Sequence, residues 1–241
     1  MSDHDDGGPL LIVAAWAPEL RALGRVFSQG KSKAPPASGR TSTGALSAVR
    51  VSGAAPVRAV VGVGLCEAAA GAARLIERQR PRAVVLVGTA GLYPGADKDR
   101  GSALAVGKVA LARSFHLASE AVAREAAYLP EPLPAQVDST PQLLQELIAA
   151  TGLSVADVAC PIGITRTTAL AQQLRKSTGA ALENLEGFAV ARAAAAAGVP
   201  FVAVLGIANI VGPEAHAQWR THGATAAAAA CSAIRTWLAS T

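Results

Sequence analysis

Three stretches of the chain are apolar almost without a break: LLIVAA (residues 10–15), the centre of PRAVVLVGTAG (81–91) and the centre of VPFVAVLGIAN (199–209). Runs of this length without polar alternation predict strands covered on both faces. Helical patterns lie between and after them. Pro18 suits the first turn of a helix over 18–27, and CEAAAGAARLIERQR predicts a helix over 66–80. TPQLLQELIAATG has Thr140 as N-cap, Pro141 at the first position and Gly152 as terminator. Residues 167–179 predict a helix ended by Gly179, LENLEGFAVARAAAAAG (182–198) opens another, and the last covers 213–238.

Further strands are expected at 45–51, 57–64 and 156–165, with a strand pair or one long strand bent at Gly107 over 103–113. Residues 28–44 are polar with Gly and Pro and predict an exposed loop; 116–139, with several prolines, predict a surface excursion. Residues 1–8 read as a disordered tail. Strands alternating with helices predict an α/β fold, with a central mixed, mostly parallel twisted sheet flanked by helices, in one domain over 9–241.

Composition sharpens this picture. Of 241 residues, 51% are hydrophobic and 16% charged, which is a folded rather than a disordered chain. Aromatics are only 4%, so the core must be small and aliphatic, with close contact between helices and sheet. The net charge of +5 comes without a Lys/Arg cluster interleaved with aromatics, so no nucleic-acid partner is expected. Cys66, Cys160 and Cys231 have no metal or disulfide spacing and read as buried free thiols of a reducing compartment. The acidic start is unlike a secretory signal, and LLIVAAWA is too short to span a bilayer. No membrane association and a cytoplasmic location are expected.

Ligands of open α/β sheets bind beyond the carboxyl ends of strands. VGTAG (87–91) offers close backbone approach at Gly88 and Gly91 and a hydroxyl at Thr89. LGIANIVGP (205–213) places Asn209 at the end of an apolar strand. ENLEG puts Glu183 and Glu186 three apart, on one face if both are helical. One acid complements a helix dipole. Two at the mouth of an apolar helix need partners, since an unpaired buried charge is too costly to keep.

The order VGTAG, ENLEGFAVA, VPFVAVLGIANIVGP resembles the nucleoside phosphorylase and nucleosidase superfamily, whose E-M-E-G-A-A-x-A helix precedes a strand ending I-S-D or I-S-N. Within it, ENLEG, GIANIVGP with Trp219, and AGLYPGA look most like the futalosine hydrolases of menaquinone biosynthesis, then the methylthioadenosine/S-adenosylhomocysteine nucleosidases. The resemblance implies hydrolysis of a purine nucleoside without a cofactor or metal. Glu186 would hold the ribose 2′- and 3′-hydroxyls and stabilise an oxocarbenium-like cation. Leu185 would pack on the sugar, and Glu183 and Asn184 would support the motif. Thr89, Ala90 and Gly91 would line the sugar or the water, and Gly163, Ile164 and Thr165 the base. Phe188, Trp16, Tyr93 and Trp219 are the aromatics available to stack on it. Asn209 stands where nucleosidases keep an Asp acid, which suits a 6-oxopurine such as hypoxanthine.

Ala17 aligns with the family's water-orienting Glu, leaving Glu19, two residues on, either to reach the site or to stay solvated. Ala208 replaces a Ser. These departures keep an inert nucleoside-binding homologue in view, beside a phosphorylase and a nucleosidase of different specificity. A phosphorylase needs Arg at its phosphate site, and only Arg40 and Arg166 are in reach of that role. Hydrolysis is therefore the preferred reading. The resemblance also implies a homodimer. His4, His116, His216 and His222 have no ligand spacing.

Overall fold

The alternation within the first apolar run shows why it is apolar throughout. In β1 (Leu10–Ala14), Leu11 and Val13 face one buried cluster while Leu10, Ile12 and Ala14 face a second on the opposite side. This is a computed structural model, and it describes residues 7–27, 55–99 and 103–240. The loop expected at 28–44, the strand at 45–51, Arg40 and residues 1–6 of the expected tail lie outside the described residues. Gly8, also assigned to that tail, is tied down: its carbonyl accepts from Arg82 Nη1 at 2.9 Å.

Among the described residues, eight strands form one sheet. β1 pairs in parallel with β2 (Val57–Val60) and β3 (Ala83–Leu92). The others are β4 (Val109–Ala118), β5 (Gln136–Asp138), β6 (Ser154–Pro161), β7 (Leu182–Glu183) and β8 (Phe201–Ile210). β3 pairs in parallel with β8, β8 antiparallel with β4, and β4 in parallel with β6. β6 pairs in parallel with β7, which returns antiparallel to the end of β3. Five strands thus close on themselves, and β7, two residues long, is the clasp.

Helices cover both faces. They are α1 (Leu65–Gln79), the one-turn α2 (Ala96–Asp99) and α3 (Glu120–Ala123), α4 (Pro141–Thr151), α5 (Thr168–Thr178), α6 (Gly187–Ala196) and α7 (Ala215–Ser240). Ala68, Ala72 and Ile76 of α1 join Val190 and Ala194 of α6 in one cluster. Leu143 and Leu147 of α4 join Ala230, Ile234 and Trp237 of α7 in the other. Small residues allow the close approach expected from composition: a Cβ on Gly206 would overlap the Ala226 carbonyl of α7.

The predicted ends of α4 hold in part. Pro141 opens it and Gly152 closes it in the left-handed region (φ 65°), its N–H on Ile148 O at 2.8 Å. The Thr140 side chain does not cap its own helix; its hydroxyl accepts from Phe201 N at 2.9 Å, fastening the helix start to β8.

Three expectations need correction. Residues 103–108 are not a strand; Gly107 (φ 88°) sits in a turn, and the strand begins at Val109. That strand continues to Ala118 and pairs with β5, so 116–139 is only partly an excursion. Its polar Ser114 hid it: the hydroxyl is buried by donating to Asp157 Oδ1 at 2.7 Å. Cys66 is exposed at the first turn of α1, whereas Cys160 and Cys231 are buried thiols. Among the described residues no helix is long and apolar enough to cross a membrane.

Candidate active site

A cavity of about 370 Å3 opens where β1, β2, β3, β7 and β8 end and α6 and α7 begin. Three carboxylates line it, Glu19, Glu183 and Glu186, and the fold treats each differently.

Glu183 and Glu186 do not share a helical face. Glu183 lies in β7, and Glu186 is the residue before the first turn of α6. Glu183 accepts from Thr165 N (3.1 Å), Thr165 Oγ1 (2.6 Å) and Tyr93 OH (2.9 Å). It is a strut that fixes the segment after β6. Burial raises its pKa while these donors oppose the rise. Burial, then the neighbouring Glu183 carboxylate, raises the Tyr93 hydroxyl far above its usual range.

Glu186 is held for use. Its Oε1 accepts from Gly64 N at 2.9 Å and its Oε2 from Asn184 Nδ2 at 3.2 Å. Gly64 precedes α1 at φ 83°, a conformation that excludes most side chains, so the helix start and its dipole aim at the carboxylate. Burial still raises the Glu186 pKa. Asn184 has its full hydrogen-bonding capacity engaged. Oδ1 accepts from Glu186 N (3.0 Å) and Gly187 N (2.7 Å), while Nδ2 donates to Glu186 and to Thr89 O (3.0 Å). It clamps the motif and has nothing left for a ligand. Gly187 is required beside it, because a Cβ there would overlap the Phe115 ring.

Glu19 turns into the cavity. It is the third residue of a 3₁₀ helix (Ala17–Phe27), and its Oε2 accepts from Trp16 N at 3.3 Å, one half of a capping box. Oε1 accepts from Thr89 N (3.2 Å) and Thr89 Oγ1 (3.3 Å). Burial first, then repulsion by Glu186, pushes its pKa up to about 7. Glu19, not Ala17, therefore provides the carboxylate after the first strand, and the solvated alternative is set aside.

Asn209 is nine-tenths buried at the end of β8. Among the described residues its side chain makes one hydrogen bond, Nδ2 to Ile210 O at 3.1 Å, so Oδ1 and the second amide hydrogen remain for a ligand. Gly91 keeps the approach open, since a Cβ there would stand 2.9 Å from Asn209 Nδ2.

Of the other expected site residues, Thr89, Ala90, Gly91, Ile164, Asn184 and Leu185 line the cavity. Gly163, Thr165 and Phe188 are not among its lining residues: Gly163 is exposed, Thr165 is bound to Glu183, and the buried Phe188 gives its N–H to Cys160 Sγ at 3.3 Å. Of the four candidate stacking aromatics, Trp16 and Trp219 reach the cavity, while Tyr93 is fully buried against Glu183. The sequence reading missed two features. The Gly64 amide was hidden in a segment read as strand, although VGVG, like VGTAG, ends an apolar run with two glycines. His216 was weighed only as a metal ligand, but it lines the cavity and stacks on Trp219. No Lys or Arg lines the cavity among the described residues, and Arg166 is exposed.

Known proteins share this architecture. Futalosine hydrolase of Streptomyces coelicolor is 42% identical over 86 residues, 35% of this chain and 37% of that protein. Futalosine hydrolase of Thermus thermophilus is 39% identical over 94 residues, 37% of this chain and 40% of that protein. The matched part is thus about two fifths of these curated relatives. The structure of futalosine hydrolase of Helicobacter pylori superposes with a TM-score of 0.78 at 14% identity, covering 97% of this chain and 98% of that one. A methylthioadenosine/S-adenosylhomocysteine nucleosidase of Neisseria meningitidis gives 0.75 at 21%, covering 97% and 100%. These likenesses establish a common fold. The model of the phosphorylase superfamily matches residues 9–239, from β1 into the last turn of α7, and the chain belongs to that family.

Proposed function

We propose that the protein hydrolyses the N-glycosidic bond of a purine nucleoside in the manner of a futalosine hydrolase, releasing hypoxanthine or a related base. One observation carries the reading: two carboxylates with different supports, the half-buried Glu19 and the buried Glu186, line one cavity and repel each other. A ribosyl group placed there relieves that repulsion as positive charge develops on its ring. Glu186 accepts hydrogen bonds from the vicinal hydroxyls. Glu19 takes a proton from water through Oε2, which has only the Trp16 amide as a donor. Leu185 packs on the sugar.

Asn209 donates its free amide hydrogen to the departing base. A neutral amide has no proton to release, so departure relies on the base's own ability to carry charge. An oxopurine does this better than adenine. A homodimer, a cytoplasmic location and a place in menaquinone biosynthesis belong to the same reading.

Water rather than phosphate is the nucleophile in this reading, because two carboxylates oppose a phosphate and no Lys or Arg among the described lining residues offsets them. The test is incubation with futalosine, inosine, methylthioadenosine and S-adenosylhomocysteine, with and without phosphate, following free base by chromatography. We expect release from the oxopurine substrates at a rate indifferent to phosphate. Release that stops without phosphate overturns the hydrolase reading; tight binding of a nucleoside with no product after prolonged incubation supports the inert homologue instead.

A further inference from the structure

Glu19 receives its hydroxyl donor from Thr89, and Thr89 has a second partner. The indole Nε1 of Trp219, 130 residues along the chain, donates to Thr89 Oγ1 at 3.2 Å. An indole N–H only donates, whereas a hydroxyl has one proton to give and lone pairs to receive. A Thr89 oxygen that accepts from Trp219 therefore has its proton directed to its other neighbour, Glu19 Oε1 at 3.3 Å.

The indole is itself seated on several sides. His216, one turn earlier in α7, stacks on it with centroids 6.2 Å apart and an interplanar angle of 18°. Trp16 meets it at 6.2 Å and 35°. Gly223, one turn later, makes room: a Cβ there would stand 3.1 Å from Nε1.

The remaining groups around Glu19 do not perform this task. Glu186 opposes its ionisation. On α7, Cys231 Sγ donates to the Glu19 backbone carbonyl at 3.2 Å, Arg235 bonds the Ala22 carbonyl, and the His216 ring stacks on the indole. β2 carries Arg58, and β1 ends at Ala14 with Ala15 after it, neither of them charged. Among the described residues no cation shifts Glu19; its ionised form is favoured by the Trp16 amide and by the amide and hydroxyl of Thr89.

We propose that Trp219 is a positioning residue for Glu19: its indole N–H holds the Thr89 hydroxyl as a donor to the carboxylate and so sets the orientation and charge state of the proposed base. The catalytic consequence rests on the nucleosidase reading above; the hydrogen-bond relay does not. Trp219→Phe keeps a ring in place and removes the N–H. The hydroxyl is then free to turn, the ionised carboxylate loses a donor, and its titration moves upward.

The test reads Glu19 directly, by carbon NMR of the full chain with labelled glutamate carboxyls, assigned with Glu19→Gln. Trp219→Phe should raise the titration midpoint by about 0.5–1 pH unit. Thr89→Val should raise it at least as far, Thr89→Ser should restore it, and Trp219→Phe should add nothing in the Thr89→Val background. Gly223→Ala, which pushes the ring from beneath while keeping its N–H, should give a smaller shift of the same sign. It serves as the test if Trp219→Phe does not fold.

In turnover, kcat at pH 7 should fall about twofold to fivefold with recovery at higher pH and little change in KM. An unmoved midpoint in Trp219→Phe, or shifts that add in the double variant, overturns the relay even in an active enzyme. The expected shifts in a protein that releases no base overturn only the nucleosidase reading.

Discussion

Glu186→Gln should lower kcat by about 10²–10³-fold or more, as the loss of a group aimed at developing charge does. The fold should survive. Glu186 is already a reluctant anion, since burial raises its pKa, and the replacement has the same shape. The amide still accepts from Gly64 through its oxygen. Its nitrogen then faces Asn184 Nδ2, so one donor meets another where a carboxylate had bridged them. That mismatch should lower the melting temperature by a few degrees at most, about the effect of one lost hydrogen bond. Steady-state base release paired with a thermal melt checks both parts. Near-native turnover in this variant removes Glu186 from the mechanism.

Glu19→Gln should divide activity from stability. Loss of the proposed base should reduce kcat by about 10²–10⁴-fold and abolish the rise of rate through neutral pH. Stability should move the other way. The Glu19 pKa is raised from 4.5 to about 7, so between those values the folded state holds the proton more tightly than the unfolded chain. Folding stability therefore falls as pH rises through that window, and the penalty is complete above pH 7. The Gln variant has no such penalty. It should be more stable than the parent above pH 7, by about 3 kcal/mol at most, and gain nothing below pH 4.5. Urea titrations of both proteins at pH 4.5 and pH 8 read this difference. Equal stability at pH 8 would mean that Glu19 ionises freely and is no tuned base.

Much of this architecture was legible because burial on two faces leaves a local mark. The runs in β1, β3 and β8 need apolar residues at consecutive positions, and Gly152 and Gly179 stop their helices where a left-handed residue is required. Sheet closure was not legible. It depends on Leu182 and Glu183 meeting β3 and β6, and no local pattern in two residues records a partner about 90 positions away, as Leu92 is from Leu182.

The candidate site divides along the same line. Glu186, Thr89 and Asn209 were found because they stand at strand ends within recognisable motifs. The separate task of Glu183 was not, because Thr165 and Tyr93 reach it through space. Glu19 had a local signal, an acid three residues after Trp16 with Pro18 between, which is the spacing of a side chain returning to the amide at a helix start. Its direction into the cavity depends on Thr89 and was visible only after folding.

In the proposed mechanism two mutually repelling carboxylates make water the nucleophile at the anomeric carbon. The most direct test is turnover of an oxopurine nucleoside in water enriched in oxygen-18, with phosphate present, followed by mass spectrometry of the sugar at early times. A control measures exchange of label into sugar added from the start. Hydrolysis should leave one labelled oxygen on the sugar beyond that control and no sugar phosphate. A sugar 1-phosphate as the product, or sugar released without label beyond the control, would contradict it.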